Sequence, residues 1–346
     1  MLDRIRAPEP RARRVATVTI SLLAAATFYG LAVAQGRPLV PLWHDSNMHM
    51  VQAQLIAHGK LWAAPHLLAD HMETFHVFVK PVYAAIHFPG TSMLYAPFLM
   101  LGIGPAVFSA VMAGAVVGLC YRIVTEVVDG VAGAMAVPFL IAIAQFRIVS
   151  VMILSHHVAL VPILLAVWAY LHWRRRAGGD PRWAVAMGLF LGFAAITRPL
   201  ETLAYSVGIG VAIAVDLRGI GWRRWLATGL TIAVMTLPFV ALQLVFNLNV
   251  TGNWRMPPYE QYNHVFHPGL AYGGSFAANA ASIPTNLPQK VDYYYDFIVE
   301  ETRMGTRHAS NPLDLLVGQR IPIILHALSP NPYLLAFLPV ALLGIT

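Results

Sequence analysis

An all-α polytopic membrane protein is the fold class this sequence predicts, a bundle of about 8 transmembrane helices with amphipathic helices in its first outer loop. Three observations carry the prediction. Hydrophobic residues make up 58% of the 346 and charged residues 11%, where a soluble domain carries about 25% charged residues. The runs 15–36, 81–121, 148–173, 225–254 and 321–346 contain no Asp, Glu, Lys or Arg, and a spanning helix needs roughly 20 such residues. The basic residues gather between those runs, as the positive-inside rule requires.

The first span reads as 15–34, running outward after Arg4, Arg6, Arg11, Arg13 and Arg14. Ala32-Val33-Ala34 also suits a signal-peptidase site, but the apolar stretch is long for a signal and further spans follow. An outer segment, 36–90, comes next. In its first helix Met48, Val51, Leu55 and Trp62 fall near one stripe while His49, Gln52 and Gln54 point elsewhere, a pattern for a helix lying in the membrane interface.

The uncharged run 81–121 is too long for one span and breaks at Gly102-Ile103-Gly104-Pro105. It reads as a short dipping helix over 92–101 and a span reaching Arg122. Spans follow near 131–147 and 155–173. Two shorter ones, 183–197 and 199–215, meet at Arg198-Pro199, and 226–247 returns outward. Segment 248–330 is a long outer loop rich in aromatics, Pro and Gly. The apolar run 331–346 starts a further helix that stops partway at Thr346, so a C-terminal part is expected to be missing. The expected organisation is a transmembrane domain over 1–247 that includes the outer loop 36–90, then the outer segment 248–330, then 331–346.

Some function classes are excluded at this point. The net charge of +7 is distributed as topology requires, with Arg174, Arg175, Arg176 and Arg182 in one loop and Arg218, Arg223 and Arg224 in another, so anionic lipid accounts for it and no nucleic-acid partner is expected. A single Cys120 rules out an intrachain disulfide. No phosphate-cradling glycine loop, nucleophile elbow or paired-cysteine motif occurs. Chemistry is therefore expected on the outer side, where both large polar segments lie.

Asp45 heads the first outer helix. It reads either as an N-cap, stabilising the helix by about 1 kcal/mol, or as a general base or a ligand for a divalent cation. Arg198 interrupts uncharged sequence between two spans. It reads as a phosphate clamp, or as a snorkelling side chain paired with Glu201. Arg147 and the Ser155-His156-His157 turn sit at the outer rim, where Arg147 and His156 could add phosphate contacts or serve as interfacial polar groups. His49, one turn beyond Asp45, is the last substrate-binding candidate. The other outer histidines, His44, His58, His66, His71, His76 and His87, match no compact zinc spacing and read as titrating surface groups. Asp292, Asp296 and Glu300 alternate with Tyr293, Tyr294 and Tyr295, as an aromatic belt or a sugar-stacking surface.

Five stretches, in this order, carry a family resemblance: HDSNMHMVQAQLIAHGKLW with the later ETFHV, HFPGTSMLYAP, ILSHHVALVPILLAVWAYLHWRR, GLFLGFAAITRPLETLA and NLNVTGNWRMPPYEQY. Over roughly 45–262 the chain resembles integral-membrane glycosyltransferases of the GT-C type, in the bacterial branch related to protein O-mannosyltransferases and aminoarabinose transferases. The resemblance implies an inner-membrane enzyme with a cytoplasmic N-terminus and an extracytoplasmic active site. It implies transfer of a sugar from a polyprenyl-phosphate donor to a lipid, glycan or protein acceptor. It places the catalytic carboxylate at Asp45 and a donor-phosphate contact at Arg198. Ser46 stands where many relatives have a second acid, and where they often have a Lys before the aromatic-Pro-Pro-Gly turn, the nearest Lys to Phe88-Pro89-Gly90 here is Lys80. A flippase for a lipid-linked sugar and a non-catalytic lipid-binding relative are the rival classes.

Overall fold

The computed structural model describes residues 5–176, 180–216, 221–267 and 283–299, with Gly318, Ile321 and Pro322. Helix dominates them. In chain order the helices are α1 Pro10–Ala34, α2 His44–Ala57, α3 Gly90–Met100, α4 Pro105–Val127, α5 Gly130–Ala142, α6 Ala144–Val149, α7 Ser155–Arg175, α8 Pro181–Ala195, α9 Pro199–Asp216, α10 Trp222–Thr251, α11 Pro258–Phe266 and α12 Pro288–Tyr293. Two short strands, β1 Val77–Phe78 and β2 Ala84–Ala85, pair antiparallel in the loop between α2 and α3. Five of the described helices, α1, α4, α7, α9 and α10, are long and apolar enough to cross a membrane, and α5 and α8 are shorter apolar helices. The all-α membrane class is therefore as expected.

The helix limits follow local chemistry. Pro105, Pro181 and Pro199 each open a helix, the position where a missing N–H costs nothing. Asp129 caps α5 by accepting the Ala132 N–H at 2.8 Å, and Asp180 caps α8 through the Arg182 N–H at 3.1 Å. The span expected over 131–147 is instead two pieces, broken at Ile143, whose backbone is extended. The break leaves the last carbonyls of α5 without helical partners. The Arg147 guanidinium takes two of them, donating to Ile141 O at 2.8 Å and Ala142 O at 2.6 Å.

The chain forms two compact units. The first contains the described parts of Met1–Pro41 and Phe88–Gln243. There α1 and α4 approach closely enough that a Cβ on Gly114 would stand 2.9 Å from both Ala25 Cβ and Ala25 N. One turn on, a Cβ on Gly118 would meet Thr17 O at 2.8 Å. Small residues at this four-residue spacing let helix backbones touch, which is the main source of packing energy in lipid. A second core joins α7, α8 and α9 through Ala166, Ala169, Trp173, Met187, Leu191, Ile209 and Ile213. At the C-terminal ends of α4 and α7 the fully buried Glu126 carboxylate accepts from Arg175 Nη1 at 2.7 Å and Trp168 Nε1 at 3.2 Å, and pairs with Arg122.

The second unit contains Leu42–His87 and the described residues from Leu244 onward. The boundary falls inside α10. This division differs from the expected one, which grouped 36–90 with the spans. Its core is Met48, Val77, Phe78, Ile86, Phe246, Val250 and Tyr262. Gln52 ties α2 to the ribbon, donating to Leu61 O at 2.7 Å and accepting the Ala85 N–H at 3.0 Å. A buried ion pair, Lys290 Nζ to Glu73 Oε1 at 2.9 Å, fastens the loop before β1 to α12. Glu73 also accepts from Thr285 and from the Asn286 N–H.

Helix α2 does not have the stripe expected of an interfacial helix. Ser46, His49 and Gln52 are as buried as Met48 and Ala53, while Trp62 lies beyond the helix end. Its polar side chains Ser46, His49 and Gln52 are buried, and the ribbon supplies Gln52 with the Ala85 N–H. The apolar run 331–346 and Glu300 lie outside the described residues.

Candidate functional site

Asp45 is not a cap. The N-cap of α2 is Trp43, in extended conformation and with no side-chain cap bond, and Asp45 is the second helical residue. Its carboxylate turns to the loop that closes over the helix start. His76 Nδ1 lies 2.8 Å and His87 Nε2 3.4 Å from the same oxygen, Oδ1. The His76 contact is close but lacks well-aligned hydrogen-bond geometry.

The backbone delivers His76 with some strain. It has φ +58°, a left-handed conformation unusual for a residue with a side chain. It is held there by its N–H, which donates to the Tyr262 hydroxyl at 3.1 Å, and by its carbonyl, which accepts from the Ile86 N–H at 3.1 Å. The bond from Ile86 also brings the end of the ribbon, and with it His87, back toward Asp45.

Aromatic rings enclose this acid. His76 sits with its ring edge-on to His44, Tyr262, His267 and Tyr293, at centroid distances of 6.0, 5.7, 6.2 and 6.5 Å. His44 stacks on Phe75 at 3.9 Å. His87 lies 5.5 Å from the buried His49 and stacks on Tyr259 at 5.4 Å. Its side chain is 24% exposed and that of His76 12%, so His87 is the more open of the two.

The electrostatics favour an ionised Asp45. Partial burial alone would raise its carboxyl, but the contacts from His76 and His87 outweigh burial and hold it well below the usual carboxylate range. His267, buried and near His76 and the Lys290 charge, is pushed down to about 4 and is neutral at pH 7. It hydrogen-bonds Asn263 Oδ1 at 3.2 Å. Burial also lowers His44, with His76 adding to the effect and Asp45 opposing it. Among the described residues no group of three His, Cys, Asp or Glu side chains is arranged to hold a metal ion.

The other expected site residues divide between the units. His49 lies in the second unit with Asp45, in the same ring cluster. Arg147, His156 and Arg198 lie in the first. There Arg198 and the 155–157 turn do come together, with Arg198 Nη1 donating to Ser155 Oγ at 3.3 Å. The guanidinium is also engaged by Glu201, Nε to Oε1 at 2.6 Å, as the snorkelling reading expected. His156 is exposed beside them. Arg147 holds helix carbonyls with its guanidinium, and its own carbonyl accepts from Arg37 Nη1 at 3.1 Å.

Sequence reasoning missed His76, His87, Tyr262 and His267. All four are spread across the loop between α2 and α3 and across α11 and its C-terminal end with no shared spacing, and the sequence reads His76 and His87 as titrating surface groups. The one local signal was the position of His87 directly before Phe88-Pro89-Gly90. Comparison of the chain with family models, with curated proteins and with solved structures finds no match.

Proposed function

We propose that this chain is an integral-membrane glycosyltransferase that moves a sugar from a polyprenyl-phosphate donor to a lipid, glycan or protein acceptor on the extracytoplasmic face. On this reading α1, α4, α5, α7, α8, α9 and α10 cross the membrane. The observation that carries the reading is Asp45, a carboxylate with no capping duty, kept ionised by two histidines in an aromatic-lined site. Aromatic faces suit the apolar faces of a sugar ring, and the carboxylate suits an acceptor hydroxyl that must lose its proton.

The first unit supports the donor half of the same proposal. An apolar groove of about 410 Å³ runs between α8, α9 and α10, lined by Leu191, Leu203, Ile209, Trp225 and Ile232, and Pro199 lines it next to Arg198 in the chain. A prenyl chain fits such a groove, and the Arg198 guanidinium beside Ser155 and His156 suits its phosphate. Neutralising the leaving phosphate is the kind of charge stabilisation that usually supplies the largest catalytic term.

The test is transfer of labelled sugar from polyprenyl-phosphate donors in membranes containing the full chain. Asp45→Asn should lower turnover about 100-fold or more with the protein still folded. Undiminished transfer by that variant would remove Asp45 from the chemistry. One observation favours a non-catalytic lipid-binding reading: Glu201 already neutralises Arg198. That reading predicts binding of polyprenyl phosphate with no transfer by any variant.

A further inference from the structure

We propose that His87, rather than Asp45, takes the proton of the acceptor hydroxyl, and that Asp45 is the counter-charge that orients His87 and holds the imidazolium it becomes. This rests on the glycosyl-transfer reading above. Three features of the geometry support it.

First, Asp45 directs one oxygen at two imidazole nitrogens at once. A carboxylate so committed is a strong acceptor of hydrogen bonds from histidine and a weak acceptor of a proton from an alcohol. The low range in which its carboxyl is held points the same way, because an effective general base titrates near the working pH.

Second, the two histidines are not equivalent. His76 is pinned through both its backbone N–H and carbonyl, and its ring is walled in by His44, Tyr262, His267 and Tyr293. His87 is twice as exposed, and the ring stacked on it, Tyr259, is itself exposed.

Third, His87 presents Nε2 to Asp45 Oδ1. With the proton on Nε2 facing the carboxylate, Nδ1 is the basic nitrogen, and no described residue hydrogen-bonds it. The groups around the His87 ring are Asp45, His49, His76 and Tyr259, so Asp45 is its only anionic neighbour among them. An acid that fixes the tautomer of a histidine and stabilises its charged form is an established division of labour.

The acceptor oxygen forms its bond to the anomeric carbon while the bond from that carbon to the phosphate oxygen breaks. The electron pair leaves with the polyprenyl phosphate. The hydroxyl proton passes to His87 Nδ1, giving an imidazolium with Nε2–H toward Asp45, and is then released to solvent.

The experiment is the pH–rate profile of labelled-hexose transfer from a polyprenyl-phosphate donor by the full chain in membranes. Wild-type kcat should fall as pH drops through the histidine range. His87→Gln should lose about 100-fold in kcat and lose that acid limb. Asp45→Asn should lower kcat and move the limb to lower pH, because the imidazolium loses its counter-charge. His66→Gln, an exposed control, should match wild type. A wild-type rate and profile in His87→Gln overturns the assignment and leaves the glycosyltransferase reading intact. No transfer by wild type from any such donor overturns both. Should His87→Gln not fold, carbethoxylation of the wild-type chain by diethyl pyrocarbonate decides the matter. Modification mapped to His87 by mass spectrometry should track loss of transfer and be reversed by hydroxylamine, and full activity with His87 modified contradicts the proposal.

Discussion

Asp45 is partly withdrawn from water, and withdrawal on its own would favour its neutral form; the histidines at 2.8 and 3.4 Å reverse that preference. The same site holds the opposite case in His267, which burial keeps neutral, with a value near 4 against 6.5 for the free side chain. Between those two values the unfolded chain binds the extra proton and the folded chain does not, so stability falls as pH drops from about 6.5 toward 4. The loss attributable to His267 reaches about 3 kcal/mol at the acid end. His44, shifted the same way, adds to the slope. Thermal unfolding of the detergent-solubilised protein at pH 7 and pH 5 should show this loss, and His267→Gln should lessen it. An unchanged difference between the two pH values in that variant would discharge His267 from the effect. Asp45 was conspicuous in the sequence as an acid at a helix start after a long apolar run. Its partners were not, because a left-handed turn at His76 and a two-residue ribbon bring them in, and neither has a spacing signature.

At the scale of elements, the helices were the most legible part of the chain. Long uncharged runs bounded by Arg clusters, Pro and Gly mark them, and α4, α7, α8, α9 and α10 lie within a few residues of the expected limits. The miss at 131–147 has a local cause, since hydropathy does not register that an arginine can end a helix by taking its carbonyls. The character of α2 was misjudged for a related reason. Alternating polar and apolar residues look the same whether the polar face meets water or a polar interior. Packing between α1 and α4 was not read from the sequence, although Gly114 and Gly118 carry it. Gly114→Leu should force these helices apart and cost about 1–3 kcal/mol, seen as a lower melting temperature and loss of a monodisperse peak in size-exclusion chromatography. Gly30→Leu, where an added Cβ meets nothing within 4 Å, should leave both unchanged. Equal behaviour of the two variants would contradict the packing described for Gly114.

On the scale of the whole molecule, the chain joins apolar helices to a unit rich in histidine and aromatic rings, and α10 belongs to both. The expected site was split across them, with Asp45 and His49 in one unit and Arg147, His156 and Arg198 in the other. On the proposed function, the acceptor chemistry belongs to Asp45 and His87 in one unit and the donor phosphate to Arg198 in the other. The proposed function rests on sugar transfer from a lipid-phosphate donor at the extracytoplasmic surface. The most direct measurement uses sealed right-side-out vesicles loaded with a labelled polyprenyl-phosphate hexose, with the acceptor membrane fraction supplied outside. Labelled product is expected on the outside in the wild type, with a loss of about 100-fold in Asp45→Asn. Product formed only in inverted vesicles, or equal product with Asp45→Asn, would contradict it.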